Sequence, residues 1–334
     1  MDIKNNKNLD IVTLGRATID INPADFKIPF VESEYFNKFV GGSAANTSVG
    51  LAKLGCKVGF LCCVSDDSLG DFVISYLKQS GVDTSHIVRA EKGIMLGLAF
   101  TEVINGKTNL MMYRDENVAD LKLDIKDIDE DFIASARFLL VSGTSLSASP
   151  SREAALKAMA LAKKHGVKII FDIDYRAQVW KSKEEISTYY TIAAQNAFMI
   201  QGSREEFDLM DYIFSPGMND EETAEYWFAQ GAEILIIKHG SEGSYVFTKE
   251  DKLKVLPFKV ELMKATGGGD GYSSAFISGL LKGKTIEECA ERGTASASIA
   301  VASSSCSAAM PDEKQLYDFI ESRHKEGQKV VYRV

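Results

Sequence analysis

Apolar positions along this chain fall into two alternating patterns. Short apolar runs at 10–15, 58–64, 138–142, 167–172, 198–201 and 233–238 predict strands, mostly buried on both faces. Between them, residues 43–54, 69–78, 152–165, 183–194 and 221–230 read as helices, and Gly55, Gly81 and Gly166 stand as stops after three of these. Strands that alternate with helices predict an α/β fold, a mainly parallel sheet covered on both faces.

Two stretches break the alternation. Residues 16–40 are irregular and β-rich. Runs at 96–104 and 108–114 flank Asn105-Gly106, a dipeptide suited to a hairpin turn. A small sheet formed by about 16–40 and 95–114, inserted into the core as a lid, accounts for both. A further β-rich piece at 244–255 precedes a glycine turn, and two or three helices are expected to close the chain. Repeats, low-complexity tracts and flexible linkers are missing from the sequence, so residues 1–334 are expected to form one domain carrying its lid.

The glycine turn is Thr266-Gly267-Gly268-Gly269-Asp270-Gly271, followed at once by an apolar helical pattern. Glycines there let backbone N–H groups at a helix start close around an anion. Asp270 would repel that anion, unless it faces a substrate hydroxyl and takes its proton while the amides hold a transferring phosphoryl group. This points to a small-molecule kinase. The structural alternative is an ordinary helix cap.

Other segments supply candidate ligand contacts. Gly41-Gly42-Ser43-Ala44-Ala45-Asn46 leads two glycines into a helix, where the Asn46 amide could meet a polar ligand; taken alone, the segment reads first as a plain strand-to-helix turn. Asp20 lies beyond the end of the first strand, where open parallel sheets bind ligands, and suits polyol hydroxyls. Asp172, Asp174 and Arg176 run off another strand end, and Arg114 ends the hairpin. Arg114 and Arg176 would grip a carboxylate through forked hydrogen bonds. The alternative is a structural ion pair, for instance Arg176 with Asp172.

Composition narrows the partners. The net charge is −9 with no basic run, which argues against nucleic acid. No apolar stretch would span a membrane, and the polar start MDIKNNKNLD lacks a signal-peptide core, so a cytoplasmic enzyme is expected. Five cysteines without a C-x-x-C pair argue against a disulfide framework or zinc site. Gly-Lys-Thr occurs at 106–108 and 283–285, but Thr101 and Ser278 stand where a P-loop needs its first glycine. Thr285 and Glu288 are instead spaced as a capping box.

Together the two glycine motifs, in this order within an α/β pattern, resemble the ribokinase-like (PfkB) family of sugar kinases over nearly the whole chain. The resemblance implies a three-layer α/β/α core, a β-sheet lid that often dimerises, and ATP with Mg²⁺. Asp270 matches the family's catalytic base, and the amides of Gly267, Gly268 and Gly269 its anion hole. Asp20, Gly42 and Asn46 match substrate contacts, and Arg114 and Arg176 the arginines that related sugar-acid kinases use. Lys238, His239, Gly240 and Gly243 match the strand and turn that approach the nucleotide, and Glu206 an indirect organiser of Mg²⁺.

Within the family, segments such as Tyr113-Arg114-Asp115-Glu116-Asn117, Phe171-Asp172-Ile173-Asp174-Tyr175-Arg176 and Ser305-Cys306-Ser307 look most like kinases of a keto-deoxy sugar acid of inositol catabolism. A 2-keto-3-deoxygluconate kinase, another sugar kinase, a kinase fold retired to binding sugar or nucleotide, and a nicotinamide-dependent oxidoreductase are the alternatives. The chain departs from the family pattern in three places. Lys264 and Ala265 stand where Asp and Thr are usual, which unsettles any monovalent-cation site near the loop. Gly268 replaces a usual Ala, and Ser203 replaces the Asn that leads the Mg²⁺-organising motif.

Overall fold

The computed structural model describes residues 7–25, 28–104 and 107–334. The chain opens with β1 (Leu9–Leu14), crosses into the lid through β2 (Thr18–Pro23) and β3 (Phe36–Gly41), and returns through α1 (Ser43–Lys53) to β4 (Val58–Val64). After α2 (Ser68–Gln79) and β5 (Ile87–Arg89), β6 (Leu98–Ile104) and β7 (Lys107–Tyr113) complete the lid. The chain then runs through α3 (Glu130–Ala134), β8 (Ala136–Ser142), α4 (Ser151–Lys164), β9 (Lys168–Asp172), α5 (Lys183–Ala194), β10 (Met199–Ser203), α6 (Arg204–Met210), α7 (Asp220–Ala229) and β11 (Ile234–Lys238). It finishes with β12 (Ser244–Thr248), β13 (Lys252–Val255), α8 (Gly268–Leu281), α9 (Ile286–Val301), α10 (Glu313–Lys325) and β14 (Val331–Arg333).

Two sheets result. The ten-stranded one has the order β14-β13-β12-β11-β10-β9-β8-β1-β4-β5, parallel from β11 to β5 and antiparallel at the β12–β14 end. The lid has the order β3-β2-β6-β7. Every residue of β4 is buried, as a continuous apolar run demands when helices cover both faces. The strand and helix positions agree with the sequence expectation to within a few residues, and β4 and α5 coincide with it. Thr285 and Glu288 form the expected capping box, and all five cysteines are buried free thiols.

Four elements go beyond the expectation. α3, α6 and the three-residue β5 are too short to show a period. β14 joins the sheet edge through backbone pairing with β13, which leaves its side chains half-buried or exposed and its sequence without alternation. In the hairpin, Ile104 pairs with Lys107, while the Asn105-Gly106 turn lies outside the described residues, as do residues 1–6 of the polar N-terminus. Among the described residues, no helix is long and apolar enough to cross a membrane.

The parallel strands end at one edge, with Leu14, Ser142, Asp172, Ser203 and Lys238 as their last residues. β1 lies between β4, which follows it through the lid and α1, and β8, which comes later on its other side. The connections diverge there, and such a switch point opens a crevice beyond the carboxyl ends. The lid is tied to the core: Asn22 Nδ2 donates to the Ser304 carbonyl at 3.2 Å, and the Ala265 N–H donates to Thr108 Oγ1 at 3.0 Å.

Candidate active site

Helix α8 starts without a side-chain cap, because its N-cap is Gly267. That residue has φ 85°, and a Cβ there would meet Cys306 Sγ at 2.9 Å. A Cβ on Gly268 would meet Val301 at 2.9 Å. The first helical bond runs from the Gly271 N–H to the Gly267 carbonyl. The N–H groups of Gly268 and Gly269 precede that ladder and form the positive end of the helix, a ready anion site.

The two glycine motifs meet at Asp270. Ser43 Oγ donates to Asp270 Oδ1 at 2.9 Å, and Asn46 Nδ2 donates to Oδ2 at 2.7 Å. Both donors come from the first turns of α1, whose N-cap is Gly42 at φ 94°. A Cβ on Gly42 would meet the Arg16 carbonyl at 2.4 Å. Burial pushes the Asp270 carboxyl above its ordinary pKa and Asp174 adds to this, while the Asn46 and Ser43 bonds pull it back. Each carboxylate oxygen keeps a lone pair for a proton. The Asn46 amide was expected to face ligand hydroxyls; its Nδ2 instead orients Asp270, and its buried Oδ1 has no partner. Ser43 was not foreseen as part of the site.

A polar cleft of about 60 Å³ adjoins Asp270, lined by Arg16, Asp20, Gly42, Asn46 and Arg176 among others. Asp20 reaches it from lid strand β2 and packs over Gly41, where a Cβ would lie 2.0 Å from its Oδ1. Burial pushes the Asp20 carboxyl up to about 6, against the pull of Arg16 and the Thr18 hydroxyl bond.

The arginines differ from expectation. Arg176 pairs with Asp174 at 2.9 Å, not with Asp172, and its buried Nε has no partner. Asp174 holds φ 37°, a left-handed conformation unusual outside glycine, just past β9. There its carboxylate accepts from Ser142 Oγ at 2.8 Å and lies 4.0 Å from Arg16 Nε. Arg114 is buried away from the lining: its Nη2 donates to Asp120 at 2.8 Å and to the Thr144 carbonyl at 3.1 Å. The guanidinium that lines the cleft beside Arg176 is that of Arg16, whose Nε also has no hydrogen-bond partner. Its position directly after the Leu14-Gly15 strand end was the signal that could have singled it out.

On the other side of the glycine turn lies a cavity of about 490 Å³. Lys238, Gly240 and Gly243, the candidate nucleotide contacts, line it together with Gly268 and Gly269. A Cβ on Gly269 would lie 3.8 Å from Lys238 Nζ. Gly243, at φ 98°, lies so close to Val255 that a Cβ would reach 2.0 Å from its carbonyl. His239 is turned to Asp220 at 2.7 Å. Apolar walls from Val255, Phe258, Val260, Leu262, Tyr272 and Val301 were not foreseen.

Glu206 is tied to the backbone: Oε1 accepts from the Tyr175 N–H and Oε2 from the Ser203 N–H, each at 2.7 Å. It therefore shapes the backbone between β9 and β10 and keeps one lone pair on each oxygen. Among the described residues, no group of three acidic, His or Cys side chains forms a metal site. Mg²⁺ would be carried here largely by nucleotide phosphates and water.

Comparison with known proteins agrees with this geometry. The family model described as pfkB family carbohydrate kinase matches residues 8–313. The chain is 49% identical over 329 residues to a protein of Clostridium perfringens named 5-dehydro-2-deoxygluconokinase, covering 98% of this chain and 97% of that one. A protein of the same name from Clostridium tetani is 49% identical over 330 residues, with the same coverage. A putative Ribokinase II from E. coli, solved in complex with ATP and Mg²⁺, shares the fold with a TM-score of 0.84 at 23% identity, covering 94% of this chain and 99% of that one. An α/β core with a separate lid sheet, two glycine motifs meeting at one aspartate, and a full-length sequence match place this chain in the pfkB family of carbohydrate kinases.

Proposed function

We propose that the chain is an ATP-dependent 5-dehydro-2-deoxygluconokinase, which phosphorylates a primary hydroxyl of its sugar acid. The observation that carries this reading is Asp270, clamped by Ser43 and Asn46 beside the uncapped amides of α8, with Arg16 and Arg176 in the adjoining cleft. The sugar acid lies in the cleft, with its carboxylate toward the unpartnered guanidinium nitrogens and its hydroxyls toward Asp20 and Asn46 Oδ1. ATP lies in the cavity, its base against the apolar wall and its phosphates toward Lys238 and Gly269. Mg²⁺ arriving with ATP supplies charge neutralisation on the phosphates.

Asp270 takes the proton of the primary hydroxyl as that oxygen bonds to the γ-phosphorus. The bond from phosphorus to the bridging oxygen breaks, and ADP leaves. The Gly268 and Gly269 amides, with those of Gly267 and Asp270 beside them, hold the charge on the moving phosphoryl oxygens. In this reading the enzyme works in the cytoplasm. Apolar residues exposed on and beside the lid, among them Val31, Tyr35 and Tyr113, suit pairing with a second copy. The test is ADP release with Mg²⁺-ATP on 5-dehydro-2-deoxygluconate, 2-keto-3-deoxygluconate, fructose and ribose. A clear preference in kcat/KM for the first is expected. Preference for another sugar overturns the substrate, and binding without ADP release on any of them overturns the kinase.

A further inference from the structure

Lys264 is 1% exposed, yet no ion pair holds it among the described residues. Its Nζ donates to the Thr266 carbonyl at 2.7 Å, to Thr266 Oγ1 at 3.3 Å and to Cys306 Sγ at 3.1 Å. Asp20 senses the charge through space. A buried ammonium without a carboxylate is costly to keep, and this one spends its donors on the two residues that fix the glycine turn. Cys306 packs against the Cα side of Gly267. The Thr266 carbonyl belongs to the same planar peptide as the Gly267 N–H, so holding the oxygen sets the direction of that N–H. The backbone around Lys264 is fastened as well: its own N–H bonds the Val301 carbonyl, and the next N–H bonds Thr108 on lid strand β7.

We propose that Lys264 is a tethered internal cation, a positioning residue whose ammonium takes the oxygens that a free monovalent ion would need and orients the anion-binding turn. The proposal rests on the kinase reading for its effect on turnover. A carbonyl and a hydroxyl oxygen suit a potassium-sized ion as well as an ammonium, but both are already taken by Nζ. A free monovalent cation therefore does not fit at this turn, and the chain carries its own.

Two measurements test this. Wild-type kcat in potassium, sodium or choline chloride at constant ionic strength should stay within about twofold, and the melting temperature without substrate should not distinguish the salts. Several-fold activation or stabilisation by potassium overturns the proposal. In Lys264→Ala, kcat should fall about 10²-fold, the usual worth of an oxyanion-hole group, while KM for the sugar moves far less. Potassium or methylammonium should restore part of that loss and raise the melting temperature, and choline should do neither. A loss that no small cation repairs would assign Lys264 to packing alone. Should Lys264→Ala fail to fold, the wild-type salt series still decides. Should no sugar be turned over, the kinase reading fails while the melting comparison still tests Lys264.

Discussion

The cleft proposed for the sugar and the cavity proposed for the nucleotide flank one glycine turn and are built by opposite rules. The cleft, at about 60 Å³, is made of charged and polar groups fixed by backbone ends: Asp20 on a lid strand, Arg16 and Arg176 past two core strands, Ser43 and Asn46 on the first turns of a helix. The cavity, at about 490 Å³, is mostly apolar wall drawn from β13, α8, α9 and the chain between. A small polar site discriminates by leaving its groups unpaired when a hydroxyl or carboxylate is missing. A large apolar one holds a flat base mainly by area. Gly268, Gly269 and Asp270 stand at the junction, so the proposed chemistry sits where a selective pocket meets a permissive one.

The sharpest way to break this comparison is at the junction. Asp270→Asn should lower kcat by about 10²–10⁴-fold, the usual worth of positioned proton transfer, with both KM values little changed. Because burial raises the Asp270 pKa, wild-type kcat should rise with pH through a limb above the ordinary carboxylate range. That limb should be absent from the residual rate of the variant. Turnover near wild type in Asp270→Asn would remove the base from the mechanism.

The next effect lies within the cleft. Arg176→Ala should raise KM for the sugar acid by about 10–100-fold, the worth of a charged hydrogen bond, and leave KM for ATP within about twofold. Arg114→Ala should instead lower stability by about 3 kcal/mol or more, because it strands buried Asp120. Equal losses of sugar affinity in the two variants would return Arg114 to the substrate. On the cavity side, Ala297→Leu adds bulk to the α9 wall. It should raise KM for ATP about tenfold and spare the sugar. A matching rise for the sugar would show that the two pockets are not independent.

Legibility in the sequence follows the same division. Gly42, Asn46, Asp270 and the glycines before it lie in short motifs, because backbone that must approach a ligand needs bare residues close together in sequence. The strands were legible because both faces of a parallel sheet are buried, which writes itself as continuous apolar runs. The cavity wall was not legible: Leu262, Tyr272 and Val301 are ordinary apolar residues whose shared surface exists only after packing. Arg114 and Arg176 show a different limit. Both are arginines following strand-like runs, yet the left-handed turn at Asp174 brings one to the cleft and Asp120 draws the other away. No residue spacing encodes which carboxylate an arginine will find.

The smallest expected effect asks whether a raised carboxyl pKa marks the site at all. Asp211 is 3% exposed, accepts from Trp227 Nε1 at 3.0 Å, and is pushed by burial to about 7, with Trp227 and Arg204 pulling it back. Unfolded, its pKa is about 3.9. Between these values the folded chain keeps a proton that the unfolded chain releases. Its contribution is therefore fully present below about pH 4 and declines as pH rises through 7. Asp211→Asn keeps an acceptor for Trp227 and never ionises. Relative to wild type, its melting temperature should rise by roughly 3 °C between pH 5 and pH 8, and kcat should be unchanged at both. An equal shift at both pH values would mean the carboxyl does not titrate there. A loss of turnover would mean that burial alone does not separate Asp211 from Asp270, whose distinction here is a neighbouring anion turn and an open cleft.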